Sequence, residues 1–140
     1  MNKQSERGSV MALDVGDAKI GVAVSESWVI ATTLAAVERT GRRAVLNALE
    51  QLVEKYTIGT VVVGIPFRED GAEGEQAEKT RAFVRSLARR LPGLTIVEWD
   101  ERYTTAEARD ILGPGDRERG RVDSVAAAVM LQEYLDSEGH

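Results

Sequence analysis

The sequence predicts an α/β fold, a single domain built on a mixed central sheet with helices on both faces. Three observations predict it. Val10 to Val15 and Ile20 to Ser25 are apolar runs around a Gly16-Asp17 turn, with Ile20, Val22 and Val24 alternating against Gly21, Ala23 and Ser25. Alternation of period two across a tight turn is the mark of a β-hairpin. "TVVVGIP", Thr60 to Pro66, is a continuous β-branched run, as in a parallel strand covered on both faces. Between and after these runs apolar residues recur at helical spacing, so the chain passes from consecutive strands to alternating helices and strands.

Each element follows in order. "ATTLAAVE", Ala31 to Glu38, is a third strand. Arg42 to Tyr56 carries Val45, Ala48, Leu49, Leu52, Val53 and Tyr56, an amphipathic helical stripe. After the β-branched strand, "PFREDGAEG" at 66–74 holds a proline and two glycines and reads as a loop. Glu75 to Leu91 is a helix with Ala77, Thr80, Phe83, Val84, Leu87 and Leu91 inward, ended by "LPG". "LTIVEWDE" is a strand, and Thr104 with Glu107 three residues on forms a capping box opening a short helix to Leu112. "GPGDRERG" is a second loop, and Val122 to Leu135 is a closing helix, apolar almost all round. The order is β-β-β-α-β-α-β-α-α, with residues 1–9 a flexible tail and 10–137 one domain.

Composition narrows the chemistry. At 140 residues, 43% hydrophobic and 29% charged, the chain can bury a core without staples. No apolar run approaches the roughly 20 residues of a membrane span, and the polar start "MNKQSERGS" has no signal-peptide core. A cytoplasmic location is the expectation. There is no cysteine, and the single histidine is His140 at the end of the chain. Thiol nucleophiles, zinc–thiolate sites and His-Asp triads are thereby disfavoured, leaving carboxylates, hydroxyls, lysines or metals. The net charge of −5 argues against a protein that coats nucleic acid. Basic residues are nevertheless clustered at Arg39, Arg42 and Arg43, at Lys79, Arg81, Arg85, Arg89 and Arg90, and at Arg117, Arg119 and Arg121. Such clusters read either as solvated faces or as phosphate contacts.

Asp14 stands out within this pattern. It sits in the apolar run of the first strand, where a charge is costly unless paired or bound to a cation. Glu101, in "WDER" at the end of the last strand, shares a face with Val97 and Trp99 if that strand stays regular. Asp123 opens the final helix, and Ala126, Ala127 and Ala128 would let that helix lie close on the sheet. Three clustered carboxylates repel one another and are tolerated when a divalent cation binds between them. Two Mg²⁺ or Mn²⁺ ions held in this way support phosphoryl transfer without His or Cys. Taken singly, Glu101 reads equally as a surface acid beside Arg102, and Asp123 as a helix-cap acid favoured by the dipole.

Four segments, "LDVGDAKIGVAVSE", "VVGIPFREDGAEGEQAEKTRAF", "DERYTTAEA" and "VDSVAAAVMLQEYL", closely resemble the YqgF/RuvX family of RuvC-like nucleases, in order and from about Val10 to Leu135. The resemblance implies an RNase H-like fold and an Mg²⁺- or Mn²⁺-dependent nuclease acting in maturation of precursor 16S ribosomal RNA, with RNA favoured over DNA and ribosomal precursor particles as partners. It implies that Asp14, Glu101 and Asp123 are the catalytic and metal-binding acids. Lys19, Arg102, Thr104 and Thr105 also match motif positions, as phosphate contacts or as buttresses of the site. Where RuvC resolvases carry a second acid three residues after the first, this chain has Ala126. That substitution tells against efficient junction resolution. A DNA junction resolvase and a non-catalytic ribosome- or nucleic-acid-binding module are the alternatives. An actin-like ATPase, suggested by "DVGDAKIG" alone, would need two such domains.

Overall fold

The computed structural model describes residues 8–66, 74–100 and 121–139. Glu101, Arg102, Thr104 and Thr105, the expected helix to Leu112 and most of the two expected loops lie outside the described residues.

Three strands come first, β1 (Ser9–Val15), β2 (Lys19–Ser25) and β3 (Thr32–Glu38). Helix α1 (Arg42–Tyr56) leads into β4 (Ile58–Ile65), and α2 (Glu75–Arg90) into β5 (Thr95–Asp100). A 3-10 turn, Arg121–Ser124, opens α3 (Val125–Gly139). The five strands form one sheet in the order β3-β2-β1-β4-β5. β1 pairs antiparallel with β2, and β2 antiparallel with β3, whereas β4 lies parallel to both β1 and β5. The mixed sheet expected from sequence is therefore present. None of the described helices is long and apolar enough to cross a membrane.

β1 occupies the centre because both of its faces are apolar: Val10, Met11, Ala12 and Leu13 are each 0% exposed. Alternation sorts them into two cores. Met11 and Leu13 join Val61 and Val63 beneath Val45 and Leu49 of α1 and Phe83 and Leu87 of α2. Val10 and Ala12 join Val62 beneath Ala127, Met130 and Leu131 of α3, with Val97 and Trp99 of β5 against the same cluster. Asp14 continues the second series and Val15 packs against the first. The two-layer burial thus aims Asp14 toward α3.

Several boundaries differ from the sequence expectation. β1 starts at Ser9, one residue inside the expected tail. The hairpin loop is Gly16 to Ala18 rather than a two-residue turn, because Lys19 already pairs with Glu38 of β3 and its carbonyl accepts the Gly16 N–H at 2.9 Å. The last helix begins as a 3-10 turn, a tightening common at helix ends, and runs on to Gly139.

A titrating group, Glu133 of α3, borders the second core. Trp99 meets Tyr134 edge-on, with ring centroids 6.0 Å apart. Its buried indole Nε1 makes no hydrogen bond of ordinary geometry among the described residues. Burial raises the Glu133 carboxyl above its ordinary value of 4.5, Trp99 opposes the rise and Asp136 adds to it. A folded-state value above the unfolded one favours the protonated form in the fold. Its contribution is full below the unfolded value and is lost as pH rises through the raised one. Glu133→Gln should therefore flatten the fall in stability above about pH 4.5 and leave the protein slightly more stable than the parent at neutral pH. Thermal melts across that range measure it, and an unchanged pH profile contradicts it.

Candidate functional site

The geometry around Asp14 is set by a glycine on the neighbouring strand. Asp14 pairs directly with Gly21 of β2. A Cβ at Gly21 would run into the carbonyl oxygen of Asp123 and come within 3.1 Å of Ser124 Cα. Only glycine lets the 3-10 turn rest on the β2 backbone at this point. Ser124 then locks the turn down. Its side chain is fully buried; Oγ accepts the Val22 N–H at 2.9 Å and donates to the Leu34 carbonyl at 2.7 Å. The residue preceding this anchor is Asp123, which is thereby held beside the strand position opposite Asp14.

Asp14, Asp17, Lys19 and Asp123 line one open cleft of about 450 Å³, completed by Gly16, Ala18, Gly21 and Ala126. Lys19 Nζ lies 3.2 Å from Asp123 Oδ2, with the two side chains 46% and 40% exposed. An ion pair so exposed contributes little to stability, which leaves the Asp123 carboxylate available for exchange. Asp14 is half-buried, not fully buried, and its carboxylate has neither a hydrogen bond nor an ion pair among the described residues. Among the described residues, three acids and one lysine line the cleft.

The structure brings together Asp14, Asp123 and Lys19 of the expected site residues. Glu101, Arg102, Thr104 and Thr105 lie outside the described residues. β5 does present Val97 and Trp99 to α3, the side on which Asp14 lies. Sequence reasoning missed two participants. Asp17 lines the cleft from the hairpin loop, and Ser124 anchors the turn; the only signal for each is its place beside a motif acid, in "DVGD" and in "VDS". The basic clusters resolve unequally. Arg81 pairs with Glu98 at 3.2 Å, and Arg90 with Glu50 at 3.2 Å. Arg39 braces the hairpin loop by donating to the Gly16 carbonyl at 2.9 Å. Arg42, Arg43, Lys79, Arg85 and Arg89 are exposed.

Chemically, the cleft offers hard oxygen donors and no soft ones, which suits Mg²⁺ or Mn²⁺ far better than a thiolate-seeking metal. Among the described residues no group of three acids is close enough to hold an ion by itself. Asp14 and Asp123 therefore fit as part of a ligand set. Ser124→Ala should cost about 1–3 kcal/mol, because the buried Val22 N–H loses its acceptor. It should also weaken any metal response that depends on Asp123. Denaturant unfolding and Mn²⁺-induced shifts in melting temperature check both parts.

Comparison with known proteins identifies the family. Residues 8–137 match the family described as RuvX, Holliday junction resolvase. The chain belongs to the RuvX family. Among its relatives, a protein of Syntrophus aciditrophicus named "Putative pre-16S rRNA nuclease" is 40% identical over 133 residues, covering 91% of this chain and 88% of the relative. One of the same name from Paracoccus denitrificans is 42% identical, covering 92% of this chain and 84% of the relative. Solved structures share the fold at low identity. Thermus thermophilus RuvC bound to a Holliday junction substrate superposes with a TM-score of 0.59 at 15% identity, covering 94% of this chain and 96% of that one. Fowlpox virus resolvase with Holliday junction DNA gives 0.57 at 11% identity, covering 93% and 98%. The RuvX chain thus has the RNase H-like fold expected from its sequence.

Proposed function

We propose that this RuvX chain is a metal-dependent nuclease that hydrolyses phosphodiester bonds of RNA in the maturation of precursor 16S rRNA, acting in the cytoplasm. The observation that carries the proposal is the Asp14 carboxylate, which has no partner among the described residues and lines one open cleft with Asp123. A carboxylate placed so is costly for folding alone and useful when a cation is bound.

Asp14 and Asp123 would hold the metal, with Glu101, the residue that follows β5 in sequence, proposed as the third acid. When bound, Mg²⁺ or Mn²⁺ supplies Lewis acidity to the scissile phosphate and activates the attacking water. The chain's own residues would do the rest. Lys19, 3.2 Å from Asp123, can turn its ammonium to a phosphate oxygen once that carboxylate is engaged. Arg102, Thr104 and Thr105 are proposed as further phosphate contacts or buttresses of the site. RNA is favoured because the relatives above are named for precursor 16S rRNA. Ala126 lines the cleft where RuvC resolvases place another acid.

A junction resolvase is the second reading, supported by the family description and by the junction complexes of the two fold relatives. Cleavage of a precursor 16S rRNA fragment and of a four-way DNA junction, each with Mn²⁺ or with excess chelator, separates the readings. RNA cleavage that disappears in chelator is expected. Junction cleavage with the RNA left intact overturns the choice of RNA, and undiminished cleavage in chelator overturns metal dependence. Binding of the RNA with no cleavage under any metal would identify the non-catalytic module.

A further inference from the structure

On the opposite side of the hairpin loop lies a second groove, of about 490 Å³, between the loop, the start of α1 and the first half of α2. Asp17 lines both this groove and the acid cleft, so the loop Gly16 to Ala18 is their common wall. The two differ sharply in character. Among the described residues, the cleft is lined by Asp14, Asp123 and Lys19, whereas the groove is rimmed by Arg39, Arg42 and Lys79, with the shared Asp17 as its acid. Arg42 and Lys79 make no ion pair or hydrogen bond among the described residues, and the Asp17 carboxylate faces Gln76 Nε2 at 3.5 Å. Val15, Val45 and Phe83 give the floor its hydrocarbon, beside the buried hydroxyl residues Thr80 and Ser86.

Cations on the rim and hydrocarbon on the floor suit a single nucleotide unit, with its phosphate at the rim and its base against the floor. A continuous duplex presents paired, stacked bases and two backbones, and cannot lower one base into a groove of this size. Given the nuclease function proposed above, we infer that this groove binds one unstacked nucleotide of a single-stranded segment that crosses the hairpin loop to reach the acid cleft. The enzyme would therefore select single-stranded RNA flanking the scissile bond. Arg39 is positioned for this by its bond to the Gly16 carbonyl, which ties the rim to the shared wall. Arg42 and Lys79 supply the charge with no partner to give up.

The test measures binding in excess chelator, where no cleavage occurs, by fluorescence anisotropy with a labelled single-stranded RNA and a hairpin duplex of the same composition. Arg42→Glu and Lys79→Glu should each weaken single-strand binding about tenfold and leave the duplex unaffected. Each should also reduce the salt slope by about 0.7 per lost phosphate contact. Arg85→Glu, exposed on α2 and outside the groove, should bind like the parent. The Mn²⁺-induced shift in melting temperature should persist in both groove variants. Loss of that shift in the parent would instead mark failure of the acid site. Single-strand binding unchanged by both groove substitutions, or reduced equally by Arg85→Glu, overturns the inference. So does an equal loss of duplex affinity. A nucleoside monophosphate that displaces the strand with the strand's own affinity would make the groove a free-nucleotide site and overturn it as well.

Discussion

Asp14→Asn is expected to abolish cleavage while leaving the metal-free protein as stable as the parent or more so, by about 1 kcal/mol. The substitution keeps the shape and removes one acid from a cleft lined, among the described residues, by three acids and one lysine. Relief of like-charge crowding is favourable in the absence of metal. With Mn²⁺ present the order should reverse, because the parent gains binding free energy that the variant has lost. Thermal melts of both proteins, in chelator and in Mn²⁺, give all four quantities. A structural acid would behave in the opposite way: breaking a buried pair costs several kcal/mol by stranding its cation. Asp14 has no such cation among the described residues. A large destabilisation in chelator with a normal metal response would contradict the assignment.

Gly21→Ala should damage both fold and activity. The new Cβ meets backbone, the Asp123 carbonyl, and cannot be relieved by a side-chain rotation. The 3-10 turn must lift from β2, straining the two Ser124 hydrogen bonds to Val22 and Leu34. Overpacking of this kind costs about 1–3 kcal/mol. The loss of activity should exceed what that destabilisation explains, because Asp123 moves with the turn. Activity measured well below the melting temperature separates the two effects. Full activity in a folded Gly21→Ala protein would show that Asp123 need not sit where β2 now holds it.

What was legible in the sequence is what local periodicity encodes. The span of α1 follows from its apolar stripe, and its predicted and observed ends coincide at Arg42 and Tyr56. The alternation in β1 and β2 was readable because one residue in two meets a different core. Asp14 was legible as an anomaly, a charge in an apolar run, although it proves half-buried at the strand end. Gly21 and Ser124 were not legible in their roles. Each acts on a partner about 100 positions away in sequence, and no local pattern distinguishes a glycine that admits a helix start from one that merely eases a strand. The groove was only half legible: Arg39 and Arg42 stand together in sequence, but only the fold brings Lys79 of α2 to the same side of the hairpin loop. The sequence clusters grouped Arg81 with Lys79, yet Arg81 is engaged with Glu98.

Asp14 and Asp123 are proposed here as ligands of one metal site. Direct titration of Mn²⁺ into the purified parent, Asp14→Asn and Asp123→Asn, followed by the electron paramagnetic resonance signal of free Mn²⁺, tests it without reference to any substrate. Saturable binding by the parent, weakened at least tenfold by each substitution, is the predicted result. Binding that survives both substitutions unchanged would contradict it.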